Sequence, residues 1–393
     1  MSNNKFDINN FINPTVSGMQ PSGIRKFFDI VSTMKDAISL GVGEPDFVTP
    51  WHIRDAGVYS LEKGQTYYTS NSGLIELREE ICNYVKKFDL SYTPDEVLVT
   101  VGGSEAIDLA MRTVLSPGDE VIIPEPSFVC YKPCTALAGG VPVTIQTKAE
   151  NAFKLTAEEV LEKITDRTKL LILSYPNNPT GAIMEREDLE KIAKVVKEKN
   201  IMVLSDEIYA ELTYKGKHVS IASLPDMKER TIVVNGFSKA FAMTGWRLGF
   251  VMAPAVLTKQ LTKVHQYAIM SSPTTSQYAA IEALKNGEDS VKLMVAEYDD
   301  RRKIITDAFN KMGYTCFSPL GAFYIFPCIK SSGLTSEEFC ERLLNEQKVA
   351  LVPGTAFGES GEGFVRVSYA YSVKQITEAT ERIAKFAKSL KKE

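Results

Sequence analysis

Between residues 97 and 252 the chain repeats one pattern: a short β-branched apolar run, a turn of glycine or polar residues, then a segment with helical spacing. The runs lie at 97–101, 121–123, 141–145, 170–173, 201–204, 232–234 and 249–252. Short apolar runs separated by helix-period segments are how successive βαβ units read. Seven of them predict one mostly parallel sheet, its strands buried and its faces covered by helices.

The intervening segments carry their own start signals. Thr156 is followed three residues on by Glu159, a reciprocal cap, and the span 185–199 places Leu189, Ile192, Ala193 and Val196 on one helical face. Earlier, 73–88 aligns Leu74, Leu77, Ile81 and Val85, and Pro50 stands at the first turn of another helix. After Asn286 the pattern changes to a long charged helix over 289–312, short strands around FYIFP and FVRVSY, and a terminal helix from about Val373. With 393 residues the chain exceeds what one core usually supports. The expected division is a large α/β domain over 46–287 and a smaller α+β domain built from 1–45 and 288–393.

Composition narrows the partners. A net charge of -4 with 24% charged residues gives no basic face for nucleic acid or anionic lipid. No apolar run approaches the roughly 20 residues that span a bilayer, so no membrane role is expected. The six cysteines form no CxxC pair and the N-terminus has no apolar signal core, which suits reduced thiols in a cytoplasmic protein. Cys130 and Cys134 stand closest, but with three histidines in the chain and no second ligand cluster no metal site is expected.

Ligands of a parallel sheet sit beyond the carboxyl ends of its strands. The residues there form a set: Gly103-Ser104-Glu105 opening a helix, Asn177-Asn178-Pro179-Thr180-Gly181, Asp206-Glu207-Ile208-Tyr209, and Ser238-Lys239. Taken singly, the acid reads as a helix cap, the lysine as solvated and the glycine turn as any turn before a helix. Together they supply an amine, a carboxylate, an amide, a phenol and a phosphate turn. Pyridoxal 5'-phosphate needs all five: an amine for its aldehyde, a carboxylate for its pyridine nitrogen, and donors for its ring oxygen and phosphate.

In addition, LGVGEPDF, PNNPTG, SDEIYAEL, SKAFAMTGWRLGF and GFVRVS resemble, in order from about Leu40 to Ser368, the signatures of class I and II aminotransferases of fold type I. The block 238–249 is the most specific, with Arg247 eight residues beyond Lys239. The resemblance implies that Lys239 holds the cofactor as a Schiff base and then moves the proton at the substrate α-carbon. It further implies that Asp206 pairs with the pyridine nitrogen, that Asn178 and Tyr209 hydrogen-bond the ring oxygen, and that Phe128 stacks on the ring, where core packing is the plainer alternative. The phosphate falls to the amides of Gly103, Ser104 and Glu105, the Ser238 hydroxyl and Arg247. Tyr68 matches a tyrosine that reaches the phosphate of a neighbouring subunit, which implies a homodimer with shared sites. Arg366 matches the arginine that grips the substrate carboxylate, with the Gly43 backbone opposite. Gly321 to Tyr324, Gly354 and Phe357 match turns of the small domain.

The activity so implied is a ping-pong transfer of an amino group from an L-amino acid to a 2-oxo acid, 2-oxoglutarate by analogy. The donor side chain stays open among aromatic, neutral and dicarboxylic classes; some members acting on aspartate carry lysine where this chain has Ser104. A carbon-sulfur β-lyase is the nearest rival, although such lyases usually read histidine at the position of Tyr209. An aminotransferase-like regulator would need a DNA-binding module, and the residues before Leu40 show neither basic character nor a helix-turn-helix pattern. A nicotinamide dehydrogenase lacks its GxGxxG after the first strand.

Overall fold

Each apolar run forms a strand. The computed structural model describes residues 6–21, 34 and 36–390, so the remainder of the 1–45 segment and the last three residues lie outside the described residues. After a short strand β1 (Ile38–Ser39) come β2 (Val97–Thr100), β3 (Glu120–Glu125), β4 (Val141–Gln146), β5 (Thr168–Ser174), β6 (Met202–Asp206), β7 (Thr231–Gly236) and β8 (Gly249–Met252). Strands β2 to β8 make one seven-stranded sheet in the order β2-β8-β7-β6-β5-β3-β4. Only β8 runs against its neighbours, β2 and β7; the other pairs are parallel.

Burial differs between the two edges of the sheet, β2 and β4. Strands β2, β3, β7 and β8 are buried at every residue, as strands covered on both faces must be. At the edge, β4 is half-exposed and carries Pro142, whose missing N–H is harmless there. The helix Arg186–Glu198 buries Leu189, Ile192, Ala193, Val195 and Val196 against this sheet's layer. The Thr156 cap is reciprocal: its hydroxyl accepts from the Glu159 amide at 3.2 Å while Glu159 accepts from the Thr156 amide at 3.0 Å. The segment predicted as one helix over 73–88 is an α-helix only over Ile75–Tyr84. It tightens to a 3-10 turn at Val85–Phe88 and stops where Asp89 turns left-handed at φ 59°.

The C-terminal third builds smaller sheets. Strands β9 (Tyr324–Ile325), β11 (Val352–Pro353) and β12 (Val365–Ser368) pair antiparallel in the order β11-β12-β9. Strand β10 (Val349–Ala350) pairs in parallel with β1, and the Ser368 amide donates to the Leu40 carbonyl at 2.8 Å. These bonds fix the backbone that leads from Leu40 to Gly43 beside β12. Among the described residues, no helix is long and apolar enough to cross a membrane.

Candidate active site

The registers Ser174↔Asp206↔Val234 and Thr100↔Gly249↔Gly236 bring the ends of β5, β6, β7 and β2 side by side. A cavity of about 680 Å³ opens there, within the size range of small-molecule sites. Its lining includes Gly43, Gly103, Ser104, Phe128, Asn178, Asp206, Tyr209, Ser238, Lys239, Arg247 and Arg366. Eleven of the thirteen residues singled out in the sequence therefore meet in one space.

At one end of the cavity the helix Gly102–Val114 begins, and its first-turn amides have no partner within the helix. Gly102 holds φ +76°, and a Cβ there would lie 2.6 Å from Arg247 Nη2. Glycine thus allows both the left-handed turn and the approach of the guanidinium to the helix end. The Glu105 carboxylate points away: it accepts the Val101 N–H, and its other oxygen lies 2.7 Å from His265 Nδ1. Of Glu105, then, only the backbone belongs to the helix end.

The acid comes as the last residue of β6. Asp206 Oδ2 accepts the Tyr131 hydroxyl at 2.7 Å, and Oδ1 accepts the Ile208 amide at 3.2 Å. Burial raises its pKa, while those two hydrogen bonds pull it down. Tyr131 also reaches Ser174 Oγ at 2.8 Å, and the Phe128 ring stands edge-on to it at 6.0 Å. The role of Tyr131 was not foreseen, because it reaches Asp206 over a separation of 75 residues.

Lys239 follows β7 directly. Its Nζ donates to the Gly43 carbonyl at 2.6 Å, and its pKa falls to about 8, mostly through burial and then through the nearby Arg366 charge. Tyr209 lies below it, with its hydroxyl 2.8 Å from that of Tyr324. Tyr324, read from sequence as architecture, lines the cavity too. In the 177–181 turn, Asn177 Oδ1 accepts from the Thr180 amide and hydroxyl at 3.1 and 2.8 Å. That leaves Asn178 to face the cavity.

Arg366 is 2% exposed on β12. Its Nη1 donates to Asn178 Oδ1 at 2.9 Å, Nη2 donates to the Gly41 carbonyl, and its plane lies near the rings of Tyr324 and Phe357 at 4.6 and 4.8 Å. Nε has no partner, and among the described residues no carboxylate pairs with the group. Such a cation is costly to bury and is poised to receive an anion.

Tyr68 is not part of this gathering. It is 82% exposed and lines a separate shallow hollow with Tyr67 and residues 271–274. Among the described residues there is no cluster of three metal-ligating side chains. The donor set fits pyridoxal phosphate: free amides, a hydroxyl and a guanidinium at one end, a buried carboxylate at another, and a half-buried amine between.

A family model described as aminotransferase class I and II matches residues 35–383. A putative aminotransferase of Bacillus subtilis, YugH, is 53% identical, the match covering 96% of this chain and 98% of that one. An aspartate aminotransferase of Pyrococcus abyssi is 48% identical over 95% of this chain and 97% of its own length. Among solved structures, the aromatic aminotransferase from Pyrococcus horikoshii superposes with a TM-score of 0.89 at 46% identity, covering 93% of this chain and 99% of that one.

Proposed function

Because the chain belongs to the class I and II aminotransferases, whose members use pyridoxal phosphate, we propose that it binds this cofactor in the cavity beyond β5, β6 and β7. The reaction is a ping-pong transfer of an amino group from an L-amino acid to a 2-oxo acid, with 2-oxoglutarate as the acceptor. One observation carries the reading: a half-buried lysine, a buried carboxylate and a buried arginine without an acidic partner face a single cavity.

Bound there, pyridoxal phosphate supplies an aldehyde that takes up the amino group and a ring that accepts the electron pair of the α-carbon. Asp206, desolvated at the end of β6, would hold the proton on the ring nitrogen. Tyr131 keeps that carboxylate aimed and ionised. Asn178 and Tyr209 orient the ring oxygen, and Phe128 packs on the ring. The amides of Gly103, Ser104 and Glu105, with Ser238 and Arg247, hold the phosphate.

Arg366 binds the substrate carboxylate through its fork, opposite the Gly43 backbone. Lys239 Nζ then takes the α-proton and returns it one position away; its pKa of about 8 leaves part of it neutral at physiological pH. Tyr68, exposed in one chain, completes the phosphate site of a second copy, so the working unit is a homodimer. The donor is an aromatic, neutral or dicarboxylic amino acid; relatives named for aspartate and for aromatic amino acids support that range.

The test is an absorption spectrum of the protein loaded with pyridoxal phosphate and freed of unbound cofactor by gel filtration, before and after adding a panel of amino acids, beside Lys239→Ala. A band between roughly 330 and 430 nm that changes with particular amino acids supports the reading and names the donor. No band carried by the protein after unbound cofactor is removed overturns it.

A further inference from the structure

The helix end at Gly102–Glu105 carries a charge that works against the anion proposed to sit there. Glu105 lies in the first turn of the helix, one residue beyond Ser104, which lines the cavity. A carboxylate that rotated toward the first-turn amides would compete with a phosphate for them and repel it. In the structure it is held elsewhere by two contacts. Oε2 accepts the Val101 N–H, and Oε1 lies 2.7 Å from His265 Nδ1.

His265 is fully buried near the end of the helix Ala255–Ala268. Its Nε2 is buried without a hydrogen-bond partner, so the polar contact of the ring is made with Glu105. Facing a carboxylate, Nδ1 carries the proton and donates it. The helix is anchored in turn: just beyond it, Ser272 Oγ donates to the Val99 carbonyl at 3.1 Å, on the strand that leads into the glycine turn. Helix, strand and turn are thereby tied at both sides of the cradle.

We infer that His265 is a positioning residue for cofactor phosphate: by holding the Glu105 carboxylate back against Val101 it keeps the first-turn amides of Gly103 and Ser104 free for the phosphate. The inference rests on the proposed cofactor site. It concerns a residue that touches neither cofactor nor substrate and acts only through Glu105.

The phosphate gives a readout that general damage to the fold would not reproduce. Full-length protein freed of cofactor is titrated with pyridoxal phosphate and, separately, with pyridoxal, which lacks the phosphate. His265→Leu is expected to weaken pyridoxal phosphate about tenfold, the scale of one hydrogen bond involving a charged group, and to leave pyridoxal unchanged. His265→Asn, which keeps a donor near the Nδ1 position, binds as the unsubstituted protein does, and Glu105→Gln added to His265→Leu restores affinity.

Equal weakening of both ligands by His265→Leu, or none with either, overturns the inference. Should His265→Leu fail to fold, Glu105→Gln alone decides: tighter phosphate binding with pyridoxal unchanged supports the inference, and unchanged or weaker phosphate binding overturns it. The unsubstituted protein tests the underlying reading in the same titration, because failure to bind pyridoxal phosphate there removes the cofactor site and this inference with it.

Discussion

Tyr131 donates its hydroxyl to Asp206 Oδ2 across 2.7 Å, in a region where both side chains are buried and Ser174 holds the tyrosine in place. A hydrogen bond to the charged form lowers a carboxylate pKa, and here it opposes the rise imposed by burial. Tyr131→Phe is therefore expected to raise the Asp206 pKa. The acid limb of the pH–rate profile should move to higher pH, and kcat at neutral pH should fall by roughly tenfold. An unmoved acid limb would show that the bond does not govern the ionisation of Asp206.

Lys239→Ala should leave a binding cavity and remove its proton carrier. Turnover is expected to fall by at least roughly 10²- to 10⁴-fold, the usual contribution of a positioned acid and base, while cofactor still binds non-covalently. Stopped-flow measurement of a single half-reaction separates the two effects.

The lowered pKa of Lys239 has a sign that titration can check. Below about 8 the amine is an ammonium and cannot attack an aldehyde; above it the neutral form dominates. The rate of cofactor capture by cofactor-free protein should rise between pH 7 and 9 and then level off. An ordinary lysine would give a rise centred near about 10.4.

Arg366→Lys keeps the charge and loses the planar fork that reaches both Asn178 and Gly41. The expected outcome is a fall in kcat/KM of about a hundredfold, mostly through KM for the amino acid, with cofactor affinity unchanged. Steady-state kinetics with each substrate varied in turn would check it.

Gly102→Ala places a methyl group 2.6 Å from Arg247 Nη2 at a left-handed position. We expect a loss of about 1 kcal/mol or more in stability and weaker binding of the phosphorylated cofactor. Thermal unfolding and cofactor titration on the same samples would measure both. Gly118→Ala, at a left-handed position outside the cavity where a Cβ meets nothing within 4 Å, serves as the control for strain alone.

Tyr68→Ala tests the shared site. The side chain is exposed within one chain, yet its loss should weaken cofactor phosphate binding if a second copy uses it. Mixed dimers of Tyr68→Ala and Lys239→Ala chains should recover part of the lost activity, since one of their two sites is intact. Unchanged binding and no recovery would place Tyr68 outside the site.

Much of the site was legible because strand ends are written in sequence. A buried parallel strand needs an unbroken apolar run, so where the run stops the chain has reached the ligand edge of the sheet. That is why Asp206, Lys239, Asn178 and the Gly103 turn could be singled out together. Tyr131 and Tyr324 were missed as members of the site for a different reason. Tyr131 reaches Asp206 over a separation of 75 residues, and Tyr324 meets Tyr209 over 115; a tyrosine destined for such a contact has no local mark that separates it from a core tyrosine.

The order of strands and helices, the helical faces and caps, and the set of chemical groups at the strand ends all follow from the residues in order along the chain. These depend on period and on neighbours within a few residues, which local sterics and hydrogen bonding set. The tertiary structure alone decided that β8 would run antiparallel between β2 and β7, and that β1 would pair with β10. It also decided that Arg366 would lie without an acidic partner against Asn178, and that His265 would hold Glu105. Each of those joins residues far apart in the chain, and their pairing is fixed by which surfaces can be buried together, a property of the packed whole rather than of any segment.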